Sequence, residues 1–177
     1  MSKTMFEFEQ WPLDLLVDYA LKIHHRRIHE EGPRTLERLE KVAENAEDDR
    51  LATVENLFRA SLDDLENHLA KEEQVLFPHL YNMTEAVRSG EQVPLFHCGS
   101  VRFPIEMMMS EHASELIRWE DIRILTDDFT VTEGAGKEHA EVVGELKEFL
   151  DALKEHIHIE NDIIFPGYLD IEDGRKA

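Results

Sequence analysis

A single cysteine, Cys98, stands among the 177 residues, which excludes a disulfide framework and any thiolate metal cluster, since each needs several. Proline and glycine are scarce, at 6 and 8, so the chain has few places to turn and predicts long helices. No run of roughly 18 apolar residues is present to span a bilayer. Met1–Gln10, which carries Glu7 and Glu9, lacks the apolar stretch of a secretory signal. These absences predict a cytoplasmic protein without membrane contact. Basic residues are outnumbered 19 to 39, for a formal charge of -20. Such a field repels phosphate backbones and argues against a nucleic-acid partner.

What is present is helical periodicity. The first segment runs from about Pro12 to Glu44 with Leu13, Val17, Leu21, Ile28, Leu36 and Leu39 on one stripe. Gly32-Pro33 should kink or locally break it. The second, Leu51 to Val87, carries Val54, Phe58, Leu62, Leu65, Leu69 and Leu76. The third, Pro104 to Thr126, carries Ile105, Met108, Leu116, Trp119 and Ile122. The fourth, Lys137 to Leu169, carries Val142, Leu146, Phe149, Leu153, Ile157, Ile163 and Ile164. Residues 88–103 read as a long loop, 127–136 as a shorter one and 172–177 as a frayed tail. The expectation is one all-α domain over 1–177, an antiparallel up-down four-helix bundle.

The stripes are interrupted in a regular way. On the fourth, Phe149 and Leu153 lead to His156 and Glu160 before Ile163 resumes the apolar series; on the second, Leu62 and Leu65 lead to His68 and Glu72 before Val75 and Leu76. Residues four apart share a helical face, so both pairs are predicted to point inward. Unpaired buried carboxylates cost several kcal/mol, roughly, and a metal ion removes that cost by neutralising ligands that must be deprotonated. One such pair alone would read as a helix salt bridge. Two in matching positions do not, and they form an internal repeat. His68, Glu72, Phe77 and Pro78 recur as His156, Glu160, Phe165 and Pro166, offset by 88 residues. Phe77 and Phe165 can wall the site against water, with Met108 and Leu116 lining it from the third stripe.

His112 falls on the third stripe and His25 on the first, with His24 and His29 as competitors for His25. Four imidazoles and two carboxylates suffice for two metal ions, with the glutamates as bridges. Mixed ligation of this kind suits iron, manganese or zinc. His79, His97, His139 and His158 show no partner pattern and read as surface residues.

His25, His68-x-x-x-Glu72, His112 and His156-x-x-x-Glu160, with Glu-Glu-Gln-Val-Leu-Phe-Pro and Glu-Asn-Asp-Ile-Ile-Phe-Pro beginning at the two glutamates, resemble the hemerythrin-like family. Within it they look most like the di-iron proteins that repair iron–sulfur clusters after nitric oxide or oxidative stress. The resemblance covers about Leu15 to Leu169. It implies two iron ions, oxo- or hydroxo-bridged, with Glu72 and Glu160 bridging and His25, His68, His112 and His156 as terminal ligands. It also implies iron–sulfur proteins or other iron acceptors as partners, and nitric oxide or dioxygen as small ligands. Two departures stand out. Oxygen-carrying hemerythrins place a histidine four residues after the one matched by His112, where this chain has Leu116, and many repair proteins carry an N-terminal domain with adjacent cysteines that has no counterpart here. The expected function is iron donation or nitric oxide binding in the stress response. The alternatives are an oxygen store or sensor, a ferroxidase or peroxidase-like enzyme, and a metal-free structural bundle.

Overall fold

The computed structural model describes residues 7–46, 49–131 and 136–174. After a 3-10 turn, Phe8–Gln10, four helical rods follow in chain order. The first joins α1 (Leu13–Tyr19), a π-helical turn at Ala20–His25, and α2 (Arg26–Glu44). The second joins α3 (Asp49–Lys71), a π-helical turn at Glu72–Leu76, and α4 (Phe77–Ser89). The third is α5 (Arg102–Leu125). The fourth joins α6 (Lys137–Ile159), a π-helical turn at Glu160–Ile164, and α7 (Phe165–Glu172).

The directions alternate. The start of the first rod packs on the end of the second, since α1 meets α4 and α2 meets α3. Arg50 at the start of the second rod pairs with Asp127 at the end of the third, and Arg102 at the start of the third pairs with Asp173 after the fourth. This is the expected all-α, up-down bundle. Among the described residues no helix is long and apolar enough to cross a membrane.

The apolar interior divides into two clusters. One gathers Phe8, Leu16, Leu80, Met83, Ile105, Phe165 and Tyr168 around α1, α4 and α7. The other gathers Leu39, Val54, Phe58, Trp119, Leu146 and Phe149 around α2, α3, α5 and α6. Each fully buried side chain of this size contributes about 1.5–3 kcal/mol. The polar side chains predicted to meet lie in the layer between the two clusters.

Three expectations need correction. Gly32-Pro33 does not break the first rod, because α2 runs through both. Gly32 is there for close approach: a Cβ would sit 2.6 Å from Leu62 Cδ2. Pro33 faces solvent, so the carbonyl it leaves without a donor meets water. Second, Val75 is exposed and Ile163 only half-buried, while Leu76 and Ile164 are buried. Leu76 and Ile164, also on the predicted stripes, lie four residues after Glu72 and Glu160, so across each π-helical turn the buried face runs through the i+4 position and not i+3. Third, Glu172 is anchored rather than frayed. Its carboxylate accepts hydrogen bonds from the Val101 amide (2.8 Å) and Ser100 Oγ (2.7 Å) at the start of α5. The rest of that predicted tail, from 175, and positions 132–135 of the predicted shorter loop lie outside the described residues.

Candidate metal centre

Three of the four rods contain a π-helical turn at the same depth, and each turn holds or adjoins a predicted site residue. His25 ends the first, and Glu72 and Glu160 open the other two. Widening the helix there re-aims these side chains, a known use of π-turns at functional sites. The prolines fit the same geometry. Pro78 and Pro166 stand two residues after the ends of the turns. A proline has no amide proton for the i−4 carbonyl and its ring crowds that carbonyl. The i→i+5 pattern just ahead of each proline relieves both problems.

The six predicted residues converge. His25, Glu72, His156 and Glu160 form one group and His68, Glu72, His112 and Glu160 a second, the contributing atoms of each lying within 4.8 Å of one another. The glutamates belong to both. Glu160 Oε1 lies 2.7 Å from His156 Nε2 and 3.6 Å from His25 Nε2, while its Oε2 lies 3.3 Å from His112 Nε2. Glu72 Oε2 lies 3.3 Å from His68 Nε2 and 3.5 Å from His25 Nε2. Both carboxylates are wholly buried, and none of their four oxygens has a partner in hydrogen-bond geometry.

The outer nitrogens explain why the inner ones are unsatisfied. His25 Nδ1 meets Glu73 Oε1 at 2.9 Å, His68 Nδ1 meets Glu111 Oε2 at 2.8 Å, and His112 Nδ1 meets Asn161 Oδ1 at 2.9 Å. A carboxylate or amide oxygen only accepts, so these partners assign the imidazole proton to Nδ1 and leave a bare lone pair on Nε2. In that tautomer the Nε2 atoms of His68 and His112 face each other at 2.9 Å as two acceptors. Imidazole nitrogens of four rings and four carboxylate oxygens lie close together in a buried layer, and His156 alone of the four rings has no partner on its outer nitrogen. A donor set of this composition and orientation fits divalent or trivalent cations, with the outer acceptors fixing ring orientation as metal-binding histidines require.

The electrostatics agree. Burial pulls the His68 imidazole down, but Glu72, Glu160 and Glu111 outweigh it and lift its pKa to about 9, so without a cation a proton takes the inner position that the neutral ring would offer to a metal. Glu160 is pushed up by burial yet is held well below the usual carboxylate range by His156, His112 and His25. The layer therefore attracts positive charge from whatever source.

The competitors separate cleanly. His24 is buried but belongs to neither group; its ring stacks on His156 with centroids 5.6 Å apart. Burial, with His156 beside it, pushes His24 down to about 3, so it is neutral. His29 lies further out, bonded to Glu66 and Glu73. Phe77 stacks on His25 (5.6 Å) and Phe165 on His112 (6.3 Å). Met108 is buried in the cluster around α1, α4 and α7, whereas Leu116 is half-buried against the other cluster. Of the histidines read as surface residues, His97 and His158 are exposed, but His79 and His139 are half-buried, and His79 packs edge-on to Phe96.

Sequence reasoning missed the outer partners, although a signal existed. Glu73 and Asn161 each directly follow a shared glutamate, and Glu111 directly precedes His112. It also missed Glu115, which takes the buried position on α5 where Leu116 was expected. Glu115 is bonded to Ser61 and Arg118, and Arg118 to Asp64. Glu115, Arg118 and Asp64, with Lys71, Glu111 and Ser114, line a cleft of about 270 Å³ between the second and third rods that reaches His68 and His112.

Comparison with known proteins follows the same lines. The family model described as the hemerythrin HHE cation binding domain matches residues 16–168. The iron-sulfur cluster repair protein YtfE of Yersinia pseudotuberculosis serotype O:1b (strain IP 31758) is 30% identical over 163 residues, covering 90% of this chain and 67% of that protein. The protein of the same name from Yersinia pestis (strain Pestoides F) is 29% identical over the same shares.

Proposed function

Because the chain belongs to the hemerythrin HHE cation-binding domain family, we propose that residues 1–177 form one such domain, which holds two iron ions and serves iron–sulfur cluster repair in the nitrosative and oxidative stress response. The observation that carries this reading is the pair of four-residue groups sharing Glu72 and Glu160. One group would hold one cation; two groups that share both carboxylates would hold two, with Glu72 and Glu160 common to both. His25 and His156 serve one ion, and His68 and His112 the other. The repair role is supported by the similarity to the iron-sulfur cluster repair proteins YtfE.

Two irons held in this way supply one-electron redox chemistry and a position for a diatomic gas such as nitric oxide. The chain's own residues set the terms of holding and release. Glu73, Glu111 and Asn161 keep the protons on the outer nitrogens, so the inner ones stay free to ligate. Phe77 and Phe165 close the layer to bulk water on one side. Leu116 supplies no nitrogen where an oxygen carrier would have one, which leaves fewer terminal donors and favours iron donation over oxygen storage.

Elemental analysis of anaerobically purified protein tests the reading, followed by the visible spectrum before and after nitric oxide and by iron transfer to a metal-free iron–sulfur protein. About two irons per chain, a spectrum altered by nitric oxide, and restoration of the acceptor's cluster are expected. Stoichiometric zinc that iron cannot displace would sink the proposal while leaving the bundle intact.

A further inference from the structure

The four converging imidazoles are not held alike. Glu73, Glu111 and Asn161 take the outer nitrogens of His25, His68 and His112 at 2.9, 2.8 and 2.9 Å. His156 is wholly buried, yet its outer nitrogen, Nδ1, has no hydrogen-bond partner in the protein. Beside it stands His24, 4% exposed, whose Nε2 is likewise without a hydrogen bond. The two rings lie nearly parallel, at 13°, with centroids 5.6 Å apart. Glu155 satisfies neither ring. Its Oε1 stays 3.5 Å from His24 Nε2, outside hydrogen-bond geometry, and accepts from the Tyr19 hydroxyl at 3.3 Å. Buried polar nitrogens in native proteins nearly always have a partner, in the chain or in ordered water.

Between the first and fourth rods, against these two rings, is a cavity of about 10 Å³. Ile28, Phe149 and Leu153 give it apolar walls, and Arg27, which also lines it, pairs with Glu31 and Glu148. That volume is the least that accepts one water, and it admits nothing larger.

We propose that this cavity is a binding site for a single buried water, through which His24 holds His156. His24 is then a positioning residue, acting on a metal ligand only through that water. The inference rests on the metal reading and deepens it. Water suits this ring as a carboxylate would not. His156 Nε2 lies 2.7 Å from Glu160 Oε1, so without a cation the carboxylate favours the imidazole proton on Nε2, and Nδ1 must accept. With a cation on Nε2 the proton belongs on Nδ1, which must donate. A carboxylate serves only the second state, whereas water donates and accepts and serves both. The neutral His24 ring beyond it also has one donor and one acceptor nitrogen. His156 thus keeps a satisfied outer nitrogen with the cation bound or released.

Two measurements test the proposal. Crystal structures of the full chain, chelator-treated and iron-loaded, should each show one ordered water within about 3.2 Å of His156 Nδ1 and of a His24 nitrogen. Iron(II) affinity, read by anaerobic competition with a chromophoric chelator, separates this role from simple packing. His24→Phe keeps the stacked ring, fills the cavity and removes the nitrogens, and affinity should fall about tenfold. His24→Gln gives up the stack but keeps a donor and an acceptor, and should recover most of that loss. A His24 that only packs against His156 predicts the reverse order. Far-UV circular dichroism verifies that both variants are folded. Crystals without the water overturn the proposal. So does a His24→Phe variant that binds iron as tightly as the wild type, or a His24→Gln variant as weak as His24→Phe. Failure of the metal reading is distinct, because the wild type itself would then take up no iron, while the chelator-treated crystal would still decide the water.

Discussion

Replacing Glu160 by glutamine separates two explanations of the buried polar layer. Glutamine keeps the shape and removes one charge. In the metal-free chain, Glu72 and Glu160 are both wholly buried, with ligating atoms within 4.8 Å of common neighbours. At an effective dielectric constant of about 20, two charges at that separation repel by roughly 3.5 kcal/mol. Against this relief stand the contacts to His156 at 2.7 Å and His112 at 3.3 Å. Weakening them costs about 1–3 kcal/mol, since the amide can still engage one ring. The metal-free variant should therefore exceed the metal-free wild type by about 0.5–2.5 kcal/mol. With metal the order changes. At a hundredfold excess over its dissociation constant, each bound ion stabilises the wild type by about 2.7 kcal/mol, and a variant lacking one bridge loses most of that gain. Urea unfolding of both proteins, with chelator and with iron(II) under anaerobic conditions, gives the four free energies. Glu160 could instead be half of an internal ion pair with His156. The variant would then lose about 3–5 kcal/mol even in chelator, and that result would refute the ligand assignment.

Other perturbations follow from the same geometry. Asn161→Ala and Glu111→Ala each remove the acceptor of an outer histidine nitrogen; iron affinity should fall about 10–100-fold with little change in helix content, as competition with a chromophoric chelator would report. Leu116→His introduces an imidazole one turn after His112 and should slow iron loss to a chelator; unchanged release kinetics would show that position to lie out of reach. Gly32→Ala gains about 1 kcal/mol of helix propensity but places a methyl 2.6 Å from Leu62 Cδ2. Because Leu62 is only half-buried and free to turn, thermal melting should show a net change within about 1 kcal/mol, whereas Gly32→Val should be clearly destabilising.

The long helices, their alternation and the six converging residues were legible because a helix repeats its buried face at fixed intervals. The histidine–glutamate pairs broke that repeat at matching places. What could not be read is tied to the π-turns. Past Glu72 the stripe named both Val75 and Leu76, and past Glu160 both Ile163 and Ile164, and only the second of each pair is buried. The same one-residue uncertainty within Ala20–His25 left His24 and His25 indistinguishable by periodicity, and both are buried. Glu115 was hidden for another reason. A carboxylate next to a leucine on an amphipathic stripe reads as the solvent-facing neighbour, and only the distant Ser61 and the nearby Arg118 make its burial tolerable.

The division of the interior into two apolar clusters has a consequence for how the molecule opens. The layer between them buries two carboxylates whose four oxygens have no partner in hydrogen-bond geometry, so without a cation it is the weakest plane for cooperative unfolding. The chain then behaves as two folding units joined at the π-turns, each able to open at its own free energy. With iron present the two units should exchange their amide protons as one. On chelation, the amides of α1, α4 and α7 should lose protection ahead of those in α2, α3 and α6, because their cluster rests on the shorter helices. Release of iron would thus loosen one end of the bundle and leave the other folded.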